Sequence, residues 1–425
     1  MLMIYSLFYN TLFNLLRRAI LPVMAMIFPK VKRRKIDADR VFRESGISKK
    51  SGEKIVWFHA ASMGEFEQAK PVIERIKLRH ENVKILVTFL SPSGYENQKL
   101  YPYADCITYL PDDYKSNVTE FFDKMQPDIA VFVRYDLWFN YLREAKRRDV
   151  PLVLIAATNP VNKILEKVPG YNCFARLYFN DFRLIFTIGS VHTEYFRKLK
   201  LTETEIVTAS DPRFDRISEL ADKSAKNEII RKARTGSEFK LVLGSSWDID
   251  EDMFIYALSR INDNSMKVRC IFVPHEPTQE HIGNLCKKVN AVLLSALLED
   301  ETLETGNNHI VVDSIGKLLY LYSLADAAYI GGGFGAGLHS VTEPAGYGIP
   351  LSCGPKIEKS PDAIELVEEG ALRVISSKEE AYDWINYVLE KKNSIEDGIK
   401  AKRYIQNKLG SSEIIHNHIL DLISN

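Results

Sequence analysis

The stretch YIGGGFGAGLHSVTEPAGYGIP, residues 329–350, opens as a buried apolar strand, passes through Gly331, Gly332, Gly333, Gly335 and Gly337, and predicts a helix start near Ser340. A strand that breaks into glycines and restarts as a helix is the ligand-facing turn of a doubly wound α/β domain. Glycine permits close backbone approach, and the free N–H groups of a helix start attract phosphate. The stretch also fits G-x-G-x-x-A from Gly331 to Ala336. It is not the first βα turn of its series, however, and the acid that a dinucleotide site wants about 20 residues on falls in LSCGPK. Nor does it hold the Gly-Lys-Ser/Thr of a Walker A loop. The alternative use of the glycines is tight turns alone.

On either side of this stretch apolar runs alternate with helical ones. Its own series comprises KLVLGSS (240–246), VRCIFVP (268–274), AVLLS (291–295), HIVVD (309–313), AAYIGGG (327–333) and IPLSCG (349–354). Continuous apolar runs of this length mark strands covered on both faces of a parallel sheet. An earlier series has the same character: KIVWFH (54–59), KILVTF (84–89), DIAVFV (128–133), PLVLIAA (151–157) and LIFTI (184–188). Between the two lies a polar, helix-prone segment, 216–239, without a strand signal. The expected organisation is a membrane-associating segment 1–50, a Rossmann-like domain 51–215, a linker 216–239 and a second Rossmann-like domain 240–425 with a helical tail. That is two doubly wound α/β domains facing a cleft. A chain of 425 residues exceeds what one core usually supports, in agreement with two domains.

Acids and bases balance at 56 each, so no global field points to nucleic acid, and any electrostatic specificity is local. The five cysteines are scattered and without C-x-x-C spacing, which argues against a disulfide framework or a zinc site and suits a reducing compartment. One local asymmetry stands at the N-terminus, where Lys30, Lys32, Arg33, Arg34 and Lys35 follow a long apolar stretch. Arg17 and Arg18 interrupt that stretch, against a transmembrane span, and the charge order is wrong for a signal peptide. At helical spacing Ser6, Asn10, Asn14 and Arg17 form a polar stripe, with Ile4, Phe8, Leu12, Leu15, Leu16 and Ala19 largely opposite. The expectation is a helix lying in an anionic membrane interface; a helix packed on the protein's own core is the alternative.

Several loops at strand C-terminal ends carry chemistry, the edge where open α/β sheets bind ligands. In FHAASMGEFEQAKP (58–71) a strand ends and a helix begins with Glu65 in its first turn. Ser62 and Glu65 have capping-box spacing, so Glu65 is either a cap or a carboxylate held out for catalysis. Glu343, after the glycine loop, is placed to accept hydrogen bonds from ribose hydroxyls or to complement a helix dipole. GSSW (244–247), VPHEP (273–277) and DSIGKLLYLYSLAD (313–326) lie at the same kind of strand end.

Together HAASMGE, DSIGKL…YSLAD and GGGFGAGLHSVTEPAGYGIPLSCGP resemble, in order and spacing over nearly the whole chain, the 3-deoxy-D-manno-octulosonic acid (Kdo) transferases of lipid A assembly. The resemblance implies a GT-B glycosyltransferase that moves Kdo from CMP-Kdo to the tetraacyl disaccharide lipid A precursor in lipopolysaccharide biosynthesis. It further implies no metal or other cofactor, and an enzyme held at the cell inner membrane with its catalytic domains cytoplasmic. Glu65 then matches the family's proposed general base and Gly64 its neighbour. Ser245, Ser246, His275, Gly316, Lys317, Gly335, Gly337, His339, Ser340 and Glu343 fall to the CMP-Kdo donor. Lys32, Arg33, Arg34 and Asp136 fall to the acceptor. The sequence departs from the family at Ser340, which replaces an asparagine, at VPHEP, which lacks the usual Arg-His pair, and at Arg134-Tyr135-Asp136, which stands for Glu-Thr-Glu. A GT-B enzyme of different donor, or a catalytically silent membrane-bound homologue, are the competing expectations.

Overall fold

The computed structural model describes residues 2–134, 136–160, 170–224, 238–261, 268–299, 309–335, 337–390 and 394–424. The chain divides into two compact units, one made of the residues up to Asp215 together with those from Gly410 on, the other of Arg216–Leu409. Each is built on a parallel seven-stranded sheet.

The first sheet has the order β3-β2-β1-β4-β5-β6-β7, from β1 (Lys54–Ala60), β2 (Val83–Phe89), β3 (Cys106–Tyr109), β4 (Ile129–Val133), β5 (Leu152–Ala157), β6 (Leu184–Ile188) and β7 (Glu205–Ala209). Side chains alternate across it. Ile55 and Trp57 join a core with Phe121, Phe132 and Tyr141 on one face, while Val56, Phe58 and Ala60 join Phe66, Ile73 and Val131 on the other. The second sheet runs β10-β11-β9-β8-β12-β13-β14, from β8 (Phe239–Ser246), β9 (Val268–Pro274), β10 (Ala291–Leu293), β11 (His309–Val311), β12 (Ala327–Ile330), β13 (Leu351–Cys353) and β14 (Leu372–Val374). Strands β3, β7 and β14 are additions to the sequence expectation. All three are sheet edges, short and interrupted by polar residues such as Glu205 and Arg373, so they lack the continuous apolar run of a central strand.

The tail divides differently from the expected 240–425 domain. Its last helix, Ser411–Ser424, belongs to the first unit. Ile415, Ile419 and Ile423 enter the core that holds Val56 and Phe66, and Glu413 pairs with Arg75 and Arg79 at 2.6 and 2.8 Å. The buried Asp215 carboxylate takes the N–H groups of Gly410 and Ser412, each at 2.6 Å. In the expected linker, residues up to 224 continue a helix that begins at Arg213, and 225–237 lie outside the described residues.

At the N-terminus α1 (Leu2–Phe8), a π turn (Tyr9–Phe13), α2 (Asn14–Ile27) and α3 (Pro29–Glu44) follow one another. The expected polar stripe faces the protein. Tyr9 donates to Asp113 Oδ2 at 2.7 Å, Asn14 Nδ2 to Asp113 O at 3.4 Å, and Arg17 to Asp112 at 2.9 Å. The apolar residues turn outward, with Ile4 72% and Leu15 65% exposed. The polar side wins the inner position because Asp112 and Asp113 supply partners that an apolar face could not satisfy. No helix among the described residues is long and apolar enough to cross a membrane.

Candidate active site

In the first unit the chemistry gathers at the C-terminal ends of β1 and β4. Helix α4 (Met63–Arg79) starts directly after β1, and Glu65 Oε2 accepts the Ala61 N–H at 2.6 Å. Ser62 makes no side-chain cap bond, so the expected capping box is only half formed. Glu65 ties the turn while its carboxyl stays half-buried. Burial raises its pKa above the ordinary glutamate value; the Ala61 hydrogen bond opposes this and the Asp136 charge adds to it. Gly64, beside it, is exposed, with only Ser62 Oγ within reach of where a Cβ would stand.

A hydrogen-bonded chain leads to Asp136. The Trp57 indole donates to Thr88 Oγ1 at 2.8 Å, and His59 Nδ1 meets the same hydroxyl at 2.9 Å. The Asp136 carboxylate, held ionised, can only accept, so His59 Nε2–H donates to its Oδ2 at 2.9 Å. Trp138 Nε1 donates to that oxygen too, at 3.2 Å. Burial works to raise the Asp136 pKa, but the His59 and Trp138 donors outweigh it and hold the carboxyl below its usual value.

In the second unit β8 ends in a bulge at Ser245, whose φ of 52° is left-handed, and Ser246 Oγ donates to the buried Glu251 at 2.8 Å. Trp247, His275 and His339 form a ring stack, with centroids 4.8 Å apart in the first pair and 4.4 Å in the second. Burial and the His275 charge push His339 down to about 4, so its ring is neutral near neutral pH. Gly332, at φ 89°, donates its N–H to the buried Asp250 at 3.1 Å, which also takes the Trp247 N–H at 3.0 Å. A cavity of about 460 Å³ opens here, lined by Ser246, Trp247, Asp250, Glu276, Gly332 and Gly335 among others. The grouping of metal-ligand types in this region is Asp248, Glu251 and His281. His281 spends both ring nitrogens bridging the two acids, Nε2 at 2.9 Å from Glu251 and Nδ1 at 3.4 Å from Asp248.

The glycine loop departs from the sequence expectation. A Cβ on Gly331 would meet Ser245 O at 2.2 Å and one on Gly333 would meet Gly354 Cα at 2.7 Å, so these glycines serve packing of the protein on itself. The N–H groups of Gly335 and Gly337 donate to Gly332 O, and that of His339 to Gly331 O. They are used in closing the loop. The helix after it is only Thr342–Ala345, two residues later than expected, with Ser340 Oγ 3.0 Å from Thr342 Oγ1. The N–H groups of Gly335, Gly337 and His339 are thus committed within the loop, and the short helix begins beyond them. The half-buried Lys317, next to Gly316 at φ 86°, accepts the Tyr320 and Leu321 N–H groups at its carbonyl, while its ammonium has no hydrogen-bond or ion-pair partner among the described residues.

The sequence profile described as 3-Deoxy-D-manno-octulosonic-acid transferase (kdotransferase) matches residues 38–216, which contain Glu65 and Asp136. The 3-deoxy-D-manno-octulosonic acid transferase of Chlamydophila psittaci is 28% identical over 75% of this chain and 73% of its own length. The protein of that name from Rickettsia prowazekii is 23% identical over 86% of this chain and 78% of its own. The chain is thus similar to the Kdo transferases, through that profile over residues 38–216 and through these relatives over most of its length. It is a glycosyltransferase. Among solved structures, the UDP-GlcNAc 2-epimerase of Neisseria meningitidis superposes with a TM-score of 0.59 at 15% identity, over 87% of this chain and all of that one. MurG of Acinetobacter baumannii gives 0.52 at 13%, over 87% of this chain and 99% of that one. These likenesses carry the fold, the two-domain GT-B architecture.

Within this transferase the predicted residues fall into three groups. Glu65, Gly64 and Asp136 share the end of the first sheet, and Ser245, Ser246, His275, His339 and the glycines share that of the second. The basic set divides. Lys32 is exposed, the Arg33 side chain lies outside the described residues, and Arg34 is bound at 2.9 Å to Asp112, the carboxylate that also holds Arg17. Sequence reasoning passed over His59, Asp250 and Trp247. A buried polar residue on a central strand was the available signal for His59, and an acid three residues into a helix the one for Asp250.

Proposed function

We propose that the protein transfers Kdo from CMP-Kdo to a tetraacyl lipid A precursor in lipopolysaccharide assembly, with Glu65 as general base. The observation that carries the reading is the half-buried Glu65 carboxyl in the first turn of α4, its pKa raised by burial and by Asp136. A base of this kind accepts the acceptor hydroxyl proton as the sugar bond forms, and raising its pKa toward the operating pH strengthens the transfer. Asp136, fixed by His59 and Trp138, stays ionised and orients the same edge. Lys317 supplies the positive charge that the departing CMP phosphate needs, and neutral His339 with Ser340 supplies hydrogen bonds to it. Glu343 takes the ribose hydroxyls.

The outward apolar face of α1 and α2 supports attachment to the cytoplasmic face of the inner membrane, since such an area finds its partner in lipid. Loss of co-sedimentation with anionic vesicles after Leu12→Asp and Leu15→Asp together is the expected result, and undiminished binding would refute the attachment. For the reaction, incubation with CMP-Kdo and the tetraacyl precursor followed by mass measurement of the lipid is expected to show added Kdo. Transfer only from a UDP- or GDP-sugar would point to a different donor, and no transfer from any to a silent homologue.

A further inference from the structure

Arg134 follows the last residue of β4, and its backbone is left-handed, with φ 62°. A branched or long side chain adopts that region at a cost, and such positions persist where the surroundings over-determine them. Here they do. Arg134 N donates to Ile155 O at 3.0 Å, and its Nε donates to Gln68 Oε1 at 2.9 Å. Gln68 is 1% exposed, and its amide nitrogen is committed to Asp211 Oδ2 at 2.7 Å, which leaves only the amide oxygen to face Arg134. Asp211 is held in turn by Arg213.

This rail holds the guanidinium by one nitrogen. Its two terminal nitrogens have no hydrogen-bond or ion-pair partner among the described residues, although the side chain is half-buried. The nearby acids are spent elsewhere: Asp136, two residues on, serves His59 and Trp138, and Glu65 serves Ala61. Gln68 is three residues after Glu65 on α4 and so lies on the same face of that helix. The Arg134 charge is felt at His192, whose pKa burial and that charge both lower. A half-buried, positioned, unneutralised fork is the form in which proteins present arginine to phosphate or carboxylate.

We propose that Arg134 recognises an anionic group of the acceptor, a phosphate or a carboxylate, close to the hydroxyl that Glu65 deprotonates. The inference rests on the reading of Glu65 as base. Recognition by the two terminal nitrogens fixes the acceptor relative to Glu65, which makes Arg134 a specificity-determining residue of the acceptor site.

Calorimetric titration of the full chain with a water-soluble glucosamine disaccharide carrying both phosphates tests this directly, and needs no turnover. Arg134→Gln is expected to weaken binding about 10- to 100-fold, with Arg134→Lys between the two. For the disaccharide lacking the recognised phosphate, wild type and Arg134→Gln should bind alike. A deficit confined to a disaccharide already bearing Kdo would assign the carboxylate as the anion. Equal weakening on every ligand, or none on any, in variants that melt like wild type, overturns the inference. Turnover with CMP-Kdo in the same proteins separates the readings: phosphate-dependent binding without any transfer would sink the assigned reaction and leave the anion site standing.

Discussion

Glu65→Gln separates the two roles that one carboxyl plays. Gln still offers an oxygen to the Ala61 N–H, so the turn before α4 should hold and the melting temperature stay near that of wild type. An amide takes no proton at neutral pH, so turnover is expected to fall about 10²- to 10⁴-fold. Activity within a few-fold of wild type in folded protein would leave Glu65 a structural tie. The acid limb of kcat/KM offers a second measurement. Burial and the Asp136 charge both raise Glu65, so the limb should sit above the ordinary glutamate value of about 4.3. Asp136→Asn removes one of those causes, and the limb should move to lower pH in a rate profile. A limb that stays in place would mean that the titrating base is another group.

At the scale of elements, the N-terminal helices hold a buried acid. Asp113 takes the Tyr9 hydroxyl and the Asn140 N–H, yet burial pushes its pKa up to about 6. Its folded value therefore exceeds the unfolded value of about 3.9, so the folded state binds the extra proton between them. Stability is fullest below about pH 4 and declines as pH rises to about 6, by roughly 2 to 3 kcal/mol from this group. Asp113→Asn should flatten that decline in denaturant melts taken from pH 4 to 7.5; an unchanged slope would show that the group does not titrate there. Removing residues 1–28 is expected to destabilise the protein, since Asp113 loses the Tyr9 donor and Asp112 loses Arg17. The truncated chain should melt several degrees below the full one at pH 7.5, and an equal melting temperature would show that these bonds contribute nothing. Helical spacing made the stripe of Ser6, Asn10, Asn14 and Arg17 legible, but not which side faced inward. That depended on Asp112 and Asp113, almost a hundred residues away in sequence.

At the scale of the molecule, the last helix returns to the first unit and completes its core. Ile419 is wholly buried there, and Ile419→Ala should cost about 2 to 5 kcal/mol, seen as earlier unfolding of the first unit in hydrogen exchange while Arg216–Leu409 keeps its protection. Equal loss in both units would mean that they unfold as one. The apolar pattern alone determined two parallel sheets, because central strands buried on both faces leave continuous runs such as IAVFV and VRCIFV, and it determined that Glu65 starts a helix at a strand end. Edge strands such as LRV lacked that pattern, being buried on fewer sides. Only the tertiary structure decided where the final helix docks, that Gly331 and Gly333 pack on Ser245 and Gly354, and that His59 joins Asp136. These depend on contacts between residues far apart in the chain, where partner and geometry, and not local spacing, set the free energy.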